Sequence, residues 1–200
     1  MTVLSTLKIT ALLAISACTA DPAATQKSFV YENFVGEGRP EYKTTANQIE
    51  LRDSPDSGSA IANKASISKK QALTFEHAIT RTLKAGQIEL QGNLSIQVRE
   101  FGEIDTLPTD RYYDESITWL EKKITANDKP TLLMWMAEGT CLITIGKTVN
   151  ESSDCPTQPD SQWKLKSQPT TESWIEVKIN KSKGWVKVDG QQVEEVSRSF

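Results

Sequence analysis

Residues 173–188 read Ser173-Trp174-Ile175-Glu176-Val177-Lys178-Ile179-Asn180-Lys181-Ser182-Lys183-Gly184-Trp185-Val186-Lys187-Val188. Ile175, Val177 and Ile179 alternate with Glu176 and Lys178, and Val186 and Val188 flank Lys187. That two-residue period belongs to strands that bury one face and wet the other. Asn180 to Gly184 supplies the connection, so the stretch predicts an antiparallel hairpin with one apolar and one charged face.

Outward from this hairpin the same pattern recurs. Trp163–Lys166, Thr131–Met136 and Cys141–Ile145 are strand-like, the last two joined around Glu138-Gly139. Towards the N-terminus come Gln48–Arg52, Ala72–Phe75, Ile79–Leu83, Ile88–Leu90 and Leu94–Val98. Asp53–Gly58, Gly86 and Gly92-Asn93 punctuate them with turn chemistry. Short strands and frequent turns predict a mainly β chain. One helix is expected among them. Ile117, Leu120 and Ile124 sit at helical spacing, Asp114 can cap the start, and Lys122-Lys123 suit the last turn. Asn127-Asp128-Lys129-Pro130 would end it.

The N-terminus carries a different signal. Residues 1–17 hold Lys8 as their only charge, then a short apolar run ending in small residues. This is the layout of a secretory signal peptide, too short to span a bilayer, which needs about 20 apolar residues. Ile15-Ser16-Ala17-Cys18 resembles the lipobox of bacterial lipoproteins. The resemblance implies cleavage before Cys18 and lipid, including palmitate-type acyl chains, on that cysteine. Several acyl chains, at about 0.8 kcal/mol per buried CH₂, hold a protein to a membrane far more firmly than one. Thr19 follows in place of the aspartate that marks inner-membrane retention, so an outer-membrane anchor facing the periplasm is expected. Residues 18–43 then read as a tether, polar at first and more apolar from Phe29 to Val35.

Loss of the signal removes one lysine and leaves 22 basic against 26 acidic residues, interspersed along the chain. No concentrated basic patch of the kind nucleic acid requires is present, so no nucleic-acid partner is expected. With Cys18 assigned to lipid, Cys141 and Cys155 remain as an even pair in an oxidising compartment. A disulfide is expected, closing a loop worth about 3 kcal/mol in chain entropy. No metal site and no cofactor are expected: the pair lacks C-x-x-C spacing and the lone histidine, His77, lies far away in sequence.

Two pieces of the chain together resemble bacterial SH3-like domains. Ile49-Glu50-Leu51-Arg52-Asp53-Ser54-Pro55 is similar to their first strand and turn. Ser173–Lys178 with Lys183-Gly184-Trp185-Val186 is similar to their W-x-x-V strand and G-W-V hairpin. The resemblance implies small five-stranded barrels that bind cell-wall peptides, glycans or proteins without catalysis. About 120 residues separate the two pieces. Either one barrel carries a long insertion, or two barrels stand in tandem. The tandem arrangement is preferred: 44–106, a helical connector at 107–128, and 129–200.

Other constellations have plain structural readings. Gly146-Lys147-Thr148 is no phosphate loop, because six residues rather than four separate it from Gly139 and they form a strand. A hairpin turn is expected there. His77 has Glu76 beside it, but neighbours on a strand point to opposite faces. Asp53 with Asp56, and Asp110 with Asp114 and Glu115, are ordinary turn and helix-start acids, so no catalytic residue is nominated. Of the aromatics, Trp174 and Trp185 are expected in cores. Tyr112, Tyr113 and Trp163 are the candidate ligand-binding residues, because they flank loops. The expected function is a non-catalytic envelope module binding the cell wall (peptidoglycan) or an envelope protein. An inhibitor or assembly accessory that binds another protein is the alternative, and an enzyme is the least favoured reading.

Overall fold

The computed structural model describes residues 29–32, 40–104, 118–136, 139–156 and 162–198. In chain order the strands are β1 (Phe29–Glu32), β2 (Pro40–Thr44), β3 (Gln48–Arg52), β4 (Ile61–Ser66), β5 (Ala72–Leu73), β6 (Phe75–Lys84), β7 (Gly86–Leu90) and β8 (Leu94–Glu103). They continue as β9 (Leu120–Ile124), β10 (Thr131–Trp135), β11 (Cys141–Ile145), β12 (Thr148–Ser152), β13 (Trp163–Leu165), β14 (Thr170–Ile179), β15 (Ser182–Val188) and β16 (Val193–Arg198). All pairings are antiparallel, in three sheets ordered β1-β6-β14-β15-β3-β4, β16-β2-β5 and β13-β7-β10-β11-β12-β8-β9. None of the three closes on itself among the described residues.

The first unit follows from alternation. On β3, Ile49 and Leu51 turn inward while Gln48, Glu50 and Arg52 face out. On β14 and β15, Ile175, Val177 and Val186 do the same. These side chains share one core with Tyr42, Phe75, Ala78, Ile179 and Val193. Each fully buried aliphatic contributes roughly 1.5–3 kcal/mol. Tyr42 and Phe75 meet edge to face at 5.2 Å. The β14–β15 hairpin is tighter than its sequence suggested, with Ile179 opposite Ser182 and only Asn180-Lys181 between them. Asn180 takes φ 56°, a left-handed conformation that asparagine tolerates. Gly184 therefore lies inside β15, pressed on β3.

The second unit is the seven-stranded sheet, and it is covered on both faces. One face holds Leu94, Ile96, Val98, Ile124, Ile143 and Trp163 around the Cys141–Cys155 disulfide, whose Cα atoms are 6.0 Å apart. The other packs Leu133, Met134, Leu142 and Val149 against Phe29 of β1. β11 is buried at every residue, so Cys141–Ile145 is not a strand wet on one side as expected. Gly146-Lys147 forms the hairpin turn to β12, with Gly146 at φ 61°.

The sheets do not follow the tandem division at 44–106 and 129–200. β14 pairs with β6 from Thr170↔Lys84 to Val177↔Phe75, and β15 meets β3 at Trp185↔Arg52. The first unit is thus built from both ends of the chain, and residues 85–169 form the second unit between them. Only Ala85 separates β6 from β7. Beside it, the Lys166 N–H donates to Gln87 O at 2.8 Å and the Gln87 N–H to Ser167 Oγ at 3.0 Å. Thr82 Oγ1 donates to Leu133 O at 2.8 Å, adding a buried bond between the units. Local alternation cannot report a pairing this distant in sequence, which is why tandem units looked natural.

The expected helix is also corrected. Residues 105–117 lie outside the described residues, but Leu120–Ile124 is strand β9, paired with β8 from Leu94↔Ile124 to Val98↔Leu120. Leu120 and Ile124 fit either period, and the apolar edge of β8 decides between them. A single 3-10 turn, Ala126–Asp128, follows. The Asp128 carboxylate accepts from the Thr125 N–H at 2.7 Å and its hydroxyl at 2.8 Å.

At Gly184 an added Cβ would meet Leu51 Cβ at 2.9 Å and Arg52 O at 3.0 Å, whereas at Gly92 nothing lies within 4 Å. Gly184→Ala is expected to cost about 1–3 kcal/mol in chemical denaturation. Gly92→Ala should stay within about 0.5 kcal/mol of the parent. Equal effects would contradict the β3–β15 approach.

Candidate functional site

The residues nominated from sequence divide three ways. Cys18, Tyr112 and Tyr113 lie outside the described residues. Cys141 and Cys155 are joined, as expected. Trp163 is not a surface aromatic: it is fully buried, because β13 pairs with β7 (Trp163↔Leu90) and turns the indole into the second unit's core. Trp174 is buried as expected, and Trp185 is half-buried.

The exposed indole is Trp119, at 38%. It belongs to a row that crosses the second sheet. Leu142 of β11 is opposite Glu151 of β12, and Glu151 is opposite Arg99 of β8. Continuing the β8–β9 register beyond Val98↔Leu120 brings Trp119 beside Arg99. The Arg99 guanidinium carbon sits 4.7 Å from the Trp119 ring centroid, a cation–π contact worth about 0.5–1 kcal/mol at an exposed site. On its other side Arg99 Nη1 is 3.7 Å from Glu151 Oε2, and the Glu151 side chain is only 7% exposed.

A buried carboxylate is costly unless paired and hydrogen-bonded. Here the pairing is loose. Glu151 Oε2 and Arg99 Nε are both buried and make no hydrogen bond. An unsatisfied buried polar group costs roughly 1–3 kcal/mol. The row therefore fixes a cation beneath an exposed aromatic and leaves hydrogen-bonding capacity unused. Beside it, Ser95 and Gln97 on β8 and Glu121 and Lys123 on β9 are exposed, with the Ser95 hydroxyl donating to Glu121 Oε1. Leu94, Ile96 and Val98 take the opposite, buried face of β8.

Further charged clusters staple the first unit, while Lys122–Glu100 and Lys166–Glu89 are pairs within the second. In the β3–β4 connection, Asp56 accepts from the Gly58 N–H at 2.7 Å and pairs with Arg81 at 3.0 Å; these hold its carboxyl below the usual aspartate range. For Glu172, burial pushes the carboxyl up. Hydrogen bonds from Lys187 (2.6 Å), Ser57 (2.9 Å) and Trp174 (3.4 Å) outweigh burial and hold it below the ordinary value of 4.5. Lys183 bridges Glu76 at 2.6 Å and Glu176 at 3.2 Å, lowering the Glu76 carboxyl and raising its own ammonium. His77 is half-exposed, 3.9 Å from Glu176.

Sequence reading missed the Arg99–Glu151–Trp119 row for a physical reason. Its members come from β8, β12 and the residue before β9, and meet only through register. Reading 119–123 as a strand would have placed Trp119, Glu121 and Lys123 on one face. Comparison with protein-family models, curated proteins and solved structures finds no match.

A carboxyl whose pKa is lower folded than unfolded stabilises the fold above its unfolded pKa, and that contribution is lost as pH falls through the folded value. Asp56, Glu76 and Glu172 are all of this kind. Stability is therefore expected to fall on acidification below pH 4.5, the ordinary glutamate value. Glu172→Gln should lower stability at neutral pH and flatten the acid slope in urea titrations. An unchanged slope would mean that Glu172 is not held below its ordinary range.

Proposed function

We propose that this chain is a cell-envelope lipoprotein, anchored through Cys18 and facing the periplasm from the outer membrane. Its SH3-like domain carries a β insertion and acts as a non-catalytic binding module for cell wall or an envelope protein. The observation that carries the binding role is Trp119: a large indole left at the surface and held in one orientation by Arg99. Exposed aromatics fixed by their neighbours give contact area at little entropic cost, which is the economy of recognition surfaces.

The SH3-like assignment is supported by the meeting of the two sequence pieces that suggested it. Ile49 and Leu51 share a core with Ile175, Val177 and Val186, and Gly184 of the G-W-V segment abuts Leu51. This favours one domain with a long insertion over two domains. The non-catalytic reading is supported by the sequence, in which His77 has no serine or cysteine nucleophile motif with it. The envelope location is supported by the signal-like first 17 residues, the lipobox-like Ile15–Cys18 and the Cys141–Cys155 disulfide. Among the described residues no helix is long and apolar enough to cross a membrane.

The test is co-sedimentation of the full-length protein, in detergent micelles, with purified sacculi, alongside cross-linking in intact cells. Enrichment over a control lipoprotein with the same anchor, or one reproducible cross-linked envelope protein, is the expected result. The absence of both would overturn the binding-module reading.

A further inference from the structure

We infer that the two-strand face formed by Ser95, Gln97 and Arg99 on β8 with Glu121 and Lys123 on β9, and Trp119 just before it, binds a saccharide chain. The inference rests on the binding-module reading and specifies its ligand and its surface. Alternation on β8 puts Leu94, Ile96 and Val98 into the core and leaves Ser95, Gln97 and Arg99 on the outer side. The register sets Gln97 opposite Glu121 and Ser95 opposite Lys123. The side chains along it end in hydroxyl, amide, guanidinium, carboxylate and ammonium groups beside one indole.

Three observations select the ligand. The charges compensate: Arg99 and Lys123 are matched by Glu121 and Glu151, so the face has no net attraction for a polyanion or an acidic membrane. One side of the Trp119 ring is backed by the Arg99 guanidinium, and the exposed remainder is an apolar platform suited to the C–H face of a pyranose. Hydrogen-bonding capacity is left over. Gln97 brings both a donor and an acceptor to the surface, the exposed Lys123 ammonium brings donors, and the Arg99 side chain is 36% exposed. A neutral ligand rich in hydroxyls matches all three: it stacks on Trp119 and exchanges hydrogen bonds with Gln97, Glu121 and Lys123. The site lies wholly on the inserted unit.

The test is calorimetric titration of the full-length protein in detergent micelles with a chitin oligosaccharide and, separately, with stem peptides released from sacculi. The oligosaccharide is expected to bind. Trp119→Ala should weaken it about tenfold and Gln97→Ala about threefold; the melting temperature should be unchanged for Gln97→Ala and fall by only about 2–8 °C for Trp119→Ala, which loses the Arg99 contact, so both variants stay folded at the titration temperature. Sacculus retention with binding of stem peptides alone would overturn the saccharide assignment and leave the module reading standing. Oligosaccharide affinity unmoved by Trp119→Ala would overturn the surface. Absence of oligosaccharide binding together with absence of sacculus retention and of any cross-linked partner would overturn both.

Discussion

The ladder between β6 and β14 is the constraint on which the rest of the structure depends. It joins residues 75–84 to residues 170–179, strands separated by the whole second unit. Closing so long a loop is entropically expensive, though the cost grows only slowly with loop length. The return is the first unit's core: Ile175 and Val177 on β14 become neighbours of Phe75 and Ala78 on β6, and β15 follows to cover Ile49 and Leu51. The same ladder fixes where the insertion leaves and re-enters. Lys84 and Thr170 are partners, so residues 85 and 169 start side by side. Gly86 is needed at this exit because a Cβ there would sit 2.5 Å from Ser167 O. Strand β1 adds a second tie, pairing with β6 in the first unit and burying Phe29 on the second.

Consequences for function run through this arrangement. The first unit spends its charged side chains on its own connections, with Arg81 and Lys187 holding the β3–β4 loop through Asp56, Glu172 and Ser57. The second unit is buried on both faces of its central strands and wet towards its edges, along β8 and β9 on one side and β7 and β13 on the other. Along β8 the feature is unusual. There an ion pair is taken partly out of water and topped by an indole, an arrangement with no evident gain for folding. Local departures from good packing chemistry of this kind concentrate where proteins meet other molecules.

Much of the β structure was legible because alternation is a local signal. The 174–188 hairpin, the Gln48–Arg52 strand and the turn at Gly146-Lys147 all declare themselves within a few residues. The Cys141–Cys155 pair was legible from parity and compartment. Three things were not. The period of Leu120 and Ile124 is degenerate between helix and strand, and only the edge of β8 breaks the tie. Trp163 stands next to a loop in sequence, yet its strand pairs inward. The β6–β14 pairing leaves no local trace, so the two halves of one unit looked like members of two. For the candidate site, Trp119 was visible as one of five tryptophans, while its partnership with Arg99 and Glu151 exists only in three dimensions.

Residues 40–84 and 170–198 share one core, and 85–169 are inserted between them. Replacing 85–169 by a two-residue Asn-Gly turn, which suits the Lys84–Thr170 partnership, puts this arrangement to the test. The shortened chain is expected to unfold in a single cooperative transition and to keep the near-ultraviolet signature of packed Trp174. A chain that is unfolded after this excision, while separate fragments 44–106 and 129–200 each fold alone, would contradict it.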